Sequence, residues 1–317
     1  MMNRMTALYR KIALWAITGL IFFTGLSLSG ETALAVSRAA ERGHTAEVTP
    51  KEERVIRILA IGNSFSEDAV EEYLYGLAKA GGHKVIIGNL YIGGAPLSLH
   101  LKNANEDKAA YEYRKIDVNG KKERFPATSI AKALADEPWD FISFQQASPN
   151  SGQFATFTAP LPPLLSYVRE RATNPKVKYI WHQTWAYAQN STHNGFANYD
   201  KDQAKMYAAI TDASRQAMAL GHFDVLAPAG TAIQNARTTF IGDHLCRDGY
   251  HLDLNVGRYT ASCAWYEAIF KQNVTRNTYR PEKVSEREAA AARASAHKAV
   301  KKPYQVTAMK KFEANTR

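Results

Sequence analysis

The sequence predicts an α/β fold in three layers, with a five-stranded parallel sheet of flavodoxin-like type and helices on both faces. Two observations predict it. Short β-branched apolar runs alternate with segments of helical period along the chain. The residues best suited to chemistry fall at or just beyond the ends of those runs, where ligands collect in open α/β sheets. Length and composition agree, because 317 residues with 45% hydrophobic content can bury one substantial core. No internal repeat and no Gly/Ser- or Pro-rich linker divides the middle of the chain.

Taken in order, strands are predicted at residues 55–61, 84–90, 141–144, 178–182 and 223–226, and helices at 67–80, 129–135, 161–171, 203–220 and 257–270. Residues 101–125 are polar, charged and weakly periodic, and read as an insertion at the sheet edge. Beyond Gln272 only the Ala-rich stretch 286–300 keeps a helical pattern, so a peripheral helix and a frayed end are expected.

The ends of the chain differ from its body. Arg4, Arg10 and Lys11 precede an apolar stretch at 12–28 and the small-x-small sequence Ala33-Leu34-Ala35, which reads residues 1–35 as a cleaved export signal. An uncleaved anchor is the alternative, since such a stretch just spans a bilayer. Cleavage would leave a periplasmic or extracellular protein without stable membrane insertion. It would consist of a linker (36–53), a catalytic body (54–275) and a basic helix and tail (276–317) whose removal should leave small-ester turnover intact. The net charge is +10, but residues 1–35 carry +2 and residues 276–317 carry +7, leaving +1 on residues 36–275. A nucleic-acid enzyme needs a basic face on the body itself, so that class is excluded.

Two segments carry the chemistry. Gly62-Asn63-Ser64-Phe65-Ser66 follows the first predicted strand and places Ser64 where strand gives way to helix. Asp248-Gly249-Tyr250-His251-Leu252-Asp253 lies near the end of the chain. A hydroxyl is a poor nucleophile until a base takes its proton and a carboxylate orients that base. Ser64, His251 and Asp248 offer those three groups. Asp243 and Asp253 are alternative carboxylates, and a helix-capping role for Ser64 competes with the nucleophilic one, although Ser66 fits capping equally well. Cys246 and Cys263 bracket the second segment, either as a disulfide or as two small buried hydrophobes.

Together these blocks resemble the SGNH, or GDSL-like, hydrolase superfamily over residues 54–271. The likeness is greatest to a branch with a Gly-Asn-Ser-Phe-Ser start, a Gln-Gln element and an Asp-Gly-Tyr/Phe-His-Leu end. The resemblance implies a Ser64-His251-Asp248 triad and an oxyanion hole built from the Ser64 amide and one glycine of Gly93-Gly94, with Gly94 preferred. Where the superfamily runs into Gly-x-Asn, Phe144 is here followed by Gln145-Gln146. Gln146 is taken as the third oxyanion donor and Gln145 as second choice. In the loop from Trp181 to Tyr187, His182, Trp185 and Tyr187 are expected to contact substrate together with Gln145, because aromatic faces and hydrogen-bonding groups suit sugar rings; a packed aromatic loop is the alternative. Arg258 either binds an acidic substrate group or makes a structural ion pair.

No His-x-x-x-His, Cys-x-x-Cys, Walker or dinucleotide-binding pattern occurs, so neither a metal nor a cofactor is expected. The resulting expectation is an exported, metal-independent serine ester hydrolase that removes acetyl or similar groups from a small-molecule or polysaccharide ester. A glycan-binding protein on the same fold, without turnover, is the alternative that the Gln-for-Asn departure favours. The sequence sets no oligomeric state.

Overall fold

Residues 58–61 of the first strand, Ile-Leu-Ala-Ile, are all buried, as a strand covered on both faces must be. In the computed structural model, which describes residues 54–313, Ile58 and Ala60 enter one core while Leu59 and Ile61 enter another. The expected export signal, linker and last four residues lie outside the described residues. No helix among those described is long and apolar enough to cross a membrane.

The strands are β1 (Val55–Gly62), β2 (Lys84–Tyr91), β3 (Tyr111–Ile116), β4 (Lys122–Thr128), β5 (Phe141–Phe144), β6 (Lys178–His182) and β7 (Val225–Ala227). They form one sheet in the order β4-β3-β2-β1-β5-β6-β7. The five expected strands pair in parallel, and their order β2-β1-β5-β6-β7 is the flavodoxin-like one, with a switch point between β1 and β5.

Among the described residues seven strands therefore replace the predicted five. The extra pair comes from the segment read as an insertion, which forms an antiparallel hairpin on the β2 edge. Tyr111, Tyr113 and Ile116 face inward, and the turn is closed by Asp117, whose Oδ1 accepts from the Asn119 and Lys121 amides. Gly120 completes it with φ +88, a left-handed conformation that suits glycine.

One face of the sheet carries α1 (Ser64–Val70), α2 (Leu74–Ala80), α8 (Ala229–Arg237), α9 (Val256–Phe270) and α10 (Glu286–Lys301). The other carries α3 (Leu97–Asn105), α4 (Ile130–Asp136) and α6 (Leu161–Arg171), with the short α5 (Ala155–Thr158) ahead of α6. The long α7 (Gln203–Gly221) feeds both cores, through Ile210 on one side and Ala217 on the other. The helix predicted at 67–80 is two helices, α1 and α2.

α10 is not peripheral. Ser285 and Glu288 cap it reciprocally, and its Ala289, Ala292, Ala296 and Ala299 face is buried in the core shared with α8 and α9. Side chains this small let helices approach closely. Asn235 donates to Ser295 O at 3.1 Å, and the Thr307 amide donates back to Asn235 Oδ1 at 2.6 Å. The segment beyond residue 275 is thus part of the folded body.

Candidate active site

Ser64 opens α1 directly beyond β1, at a helix position whose N–H has no partner within the helix. The turn is held by Asn63, which is 1% exposed. Its Oδ1 accepts from the Phe65 amide at 3.0 Å and from Gln145 Nε2 at 2.8 Å, and its Nδ2 donates to Ala95 O at 3.0 Å. Ser64 is therefore not the cap of α1, and Asn63 does that work. Gly62 is required by space, since a Cβ there would lie 2.5 Å from Ser66 Oγ.

The late segment returns to this point. Ser64 Oγ lies 2.8 Å from His251 Nε2, and His251 Nδ1 lies 2.6 Å from Asp248 Oδ2. Asp248 Oδ1 also accepts from the His251 amide at 2.7 Å and the Tyr250 amide at 3.1 Å. Partial burial works against the Asp248 carboxylate, but the His251 ring and these two amides hold its pKa below the usual carboxylate value. The alternative carboxylates are engaged elsewhere: Asp243 pairs with Arg237 at 2.7 Å, and Asp253 accepts from the Asn255 and Gly257 amides at the start of α9.

Two devices fix the loop that carries His251. Residues Cys246 and Leu252 form an antiparallel bridge, flanked by Arg247 N to His251 O and Asp253 N to Leu245 O. The second device is Asp68, one turn after Ser64 on the same side of α1 and 0% exposed. It accepts from the Leu252 amide at 2.8 Å, from Arg258 Nε at 2.7 Å and from Arg247 Nη1 at 3.1 Å. Burial pushes its carboxyl up while Arg258, Arg247 and the Leu252 amide pull it back. Arg258 is thus the structural ion pair of the two options. Cys246 and Cys263 are free thiols, and the bridge and Asp68 hold the loop without them.

The cleft beside this relay has a volume of about 310 Å³ and is lined by Ser64, Tyr91, Gly93, Gly94, Ser148, His193, Arg247, Tyr250 and His251, among others. Gly94 has φ +66, and the amides of Ser64, Gly93 and Gly94 meet no acceptor among the described residues. Tyr91 is backed by the Arg114 guanidinium, 3.7 Å from its ring centre, and Arg114 is fixed by Glu67 at 3.1 Å and Glu112 at 3.0 Å.

Five expected site residues are placed differently. Gln146 is buried, donating through Nε2 to Thr156 Oγ1 (3.0 Å) and O (3.3 Å) and accepting through Oε1 from the Leu97 and Ala147 amides. Its hydrogen bonds tie loops together, so it is not positioned as an oxyanion donor. Gln145 bridges Asn63 and His182, whose Nδ1 is 2.8 Å from Gln145 Oε1. Burial lowers the His182 pKa to about 3, so the ring is neutral and Nδ1 carries the donated proton. Trp185 and Tyr187 are 0% exposed. Trp185 stacks on Phe65 at 4.3 Å and donates to Tyr250 O, and Tyr187 packs against Tyr250. All four residues expected to touch substrate support the cleft from beneath. Tyr91, His193, Tyr250 and Ser148, which sequence reasoning missed, line it. Among the described residues no group of three or more His, Cys, Asp or Glu side chains is gathered as a metal site requires.

The sheet order and the helices on both faces define the expected three-layer α/β fold, in which a strand-to-helix serine faces a late histidine. The chain belongs to the family described as a domain of unknown function, DUF4886, whose model matches residues 57–299. It is similar to a DUF4886 family protein of known crystal structure from Bacteroides uniformis ATCC 8492, with 50% identity and a TM-score of 0.81 over 82% of this chain and 100% of that one. Weaker likeness extends to a protein from Slackia heliotrinireducens provisionally described as an SGNH hydrolase (22% identity, TM-score 0.46, 68% of this chain and 100% of that one). It extends also to a catalytic mutant of Axe2, an acetylxylan esterase from Geobacillus stearothermophilus (14% identity, TM-score 0.42, 68% and 93%). No curated protein matches the chain.

Proposed function

We propose that the protein is a serine ester hydrolase acting by acyl transfer to water. The observation that carries this reading is the unbroken relay from Ser64 Oγ through His251 to Asp248, at 2.8 and 2.6 Å, in the wall of an open cleft. Ser64 Oγ attacks the ester carbonyl as its proton passes to His251 Nε2, and Asp248 stabilises the imidazolium and keeps its tautomer. The tetrahedral oxyanion faces the Ser64 and Gly94 amides. On collapse, His251 returns the proton to the leaving alcohol. Water then attacks the acyl-enzyme by the same route and regenerates Ser64.

The leading substrate is an acetylated or similarly esterified carbohydrate. Tyr91, Tyr250 and His193 give the cleft aromatic walls interleaved with hydrogen-bonding groups, a mixture suited to sugars. The reading of residues 1–35 as an export signal places the substrate outside the cytoplasm, where such glycans occur. The glycan-binding alternative draws on the placement of Gln146 away from the cleft. Covalent labelling of Ser64 by a serine-directed organophosphonate, lost in His251→Ala, separates the two. Acetate release from a polysaccharide panel, with Ser64→Ala as blank, identifies the substrate. A wild-type protein that neither labels nor releases acid, beside a reactive control esterase, refutes the enzyme reading.

A further inference from the structure

We propose that Ser148 is a catalytic residue whose side-chain hydroxyl supplies the third donor to the oxyanion. This inference rests on the serine-hydrolase reading above. Ser148 follows β5, the strand beside β1, and lines the same cleft as Ser64, Gly93 and Gly94. The loops after β2, β1 and β5 are neighbours along the sheet, and residues of all three line this one cleft.

The direction of one hydrogen bond carries the argument. Ser148 Oγ lies 2.7 Å from Tyr187 OH, and geometry alone leaves the donor open. Burial settles it. Tyr187 is 0% exposed, and its phenol has no other acceptor among the described residues, so donation by Ser148 would strand the phenolic proton in the core, where an unmade hydrogen bond is costly. Tyr187 must therefore donate. Ser148 then accepts, and its own proton has no acceptor among the described residues. Ser148 is 7% exposed and lines the cleft. The hydroxyl is left as a donor to whatever occupies that space, strengthened by the bond it accepts. During turnover it forms no covalent bond and keeps its proton. It hydrogen-bonds the oxyanion alongside the Ser64 and Gly94 amides.

Ser148→Ala alone would leave the Tyr187 phenol unpaired, so the test pairs it with Ser148→Ala/Tyr187→Phe, which removes both partners. Turnover of 4-nitrophenyl acetate is measured together with thermal stability and the affinity of phenylboronic acid, whose anionic tetrahedral adduct mimics the oxyanion. Loss of one such donor predicts a fall in kcat of about 10²-fold in the double variant. KM should move little, boronate affinity should weaken in parallel, and the melting temperature should return toward wild type. Tyr187→Phe alone, which keeps the serine donor, loses much less. A double variant with kcat within threefold of wild type overturns the proposal, as does one whose kcat falls while boronate affinity holds. A wild-type protein inert to both ester and organophosphonate overturns the hydrolase reading itself.

Discussion

Asp68→Asn tests whether the nucleophile's helix sets the position of the base. The Asp68 carboxylate is 0% exposed and receives donors from Arg247, Arg258 and the Leu252 amide. Asparagine offers one acceptor oxygen where the carboxylate has two, so an amide NH2 must face either a guanidinium or the Leu252 N–H. Removing one partner of a buried pair costs about 3–5 kcal/mol. The lower end applies here, because Arg247 is 32% exposed and can turn to water, while Arg258 keeps Glu67 at 3.6 Å. A loss of ~3 kcal/mol lowers the melting temperature by roughly 5 °C at this chain length, since the unfolding entropy is about 2.1 cal/mol/K per residue. Calorimetry at pH 7 reads that loss, and the rate of organophosphonate labelling at Ser64, well below the melting point, reads the displacement of His251. Arg258→Met in the Asp68→Asn background should restore part of the stability, because it removes an unpaired charge. A shift under 1 °C, or full-rate labelling, would refute the role assigned to Asp68.

Four further outcomes are expected. Asp248→Asn should lower kcat by about 10³–10⁴-fold with the fold intact, because the amide turns the His251 tautomer away from Ser64; steady-state kinetics beside circular dichroism checks this, and a loss under tenfold would contradict the triad. His182 and His100 are buried, with pKa values lowered to about 3 and about 4. The unfolded chain binds protons on these rings below about 6.5 while the fold does not, so their contribution is complete above pH 6.5 and declines toward pH 3, by about 2–3 kcal/mol each at pH 4.5; urea melts at pH 7.5 and 4.5 should differ accordingly, and imidazole NMR signals of both should stay neutral to pH 5. Deleting residues 276–313 should yield aggregated protein, since it uncovers the α8–α9 surface that α10 buries; a soluble, cooperatively melting truncation would refute that packing. Gly62→Ala should abolish labelling of Ser64, because the added Cβ meets Ser66 and Gln145; labelling at the wild-type rate counts against it.

The parallel sheet was legible because each of its strands is a short apolar run buried on two sides, a pattern that few other structures produce. The hairpin of β3 and β4 was missed for the complementary reason. In Tyr111-Glu112-Tyr113-Arg114 the alternation is present, but with charge at every second place, and the edge strand β4 is mostly exposed. The Asn119-Gly120 pair at its turn was the available signal. The helix α8, Ala-Gly-Thr-Ala-Ile-Gln-Asn-Ala-Arg, escaped because its buried face is made of small residues whose fit depends on α10.

The site shows where residue types mislead and where connectivity does not. Ser64, Asp248 and His251 were legible because a relay needs particular groups in a particular order, and position at strand ends restricts where they can lie. Trp185 and Tyr187 have the chemical character of substrate contacts, yet the same large apolar area that suits a sugar face suits a core more, and both find internal hydrogen-bond partners in Tyr250 O and Ser148 Oγ. Their burial still bears on the cleft. Trp185 braces Phe65, next to the nucleophile, and Tyr250, next to the base. Gln145 joins the cap of α1 to His182 at the end of β6. The glutamine and the aromatics thus hold Ser64 and His251 in register, and the cleft itself is lined by Tyr91, Ser148, His193 and Tyr250. Of these, Tyr250 lies inside the late block and Tyr91 at the start of the glycine block Tyr91-Ile92-Gly93-Gly94-Ala95. His193 stands in a loop whose sequence, Ser191-Thr192-His193-Asn194-Gly195, differs little from an ordinary turn, and packing of its ring 4.6 Å from Tyr250 and 5.0 Å from Tyr187 brings it to the cleft.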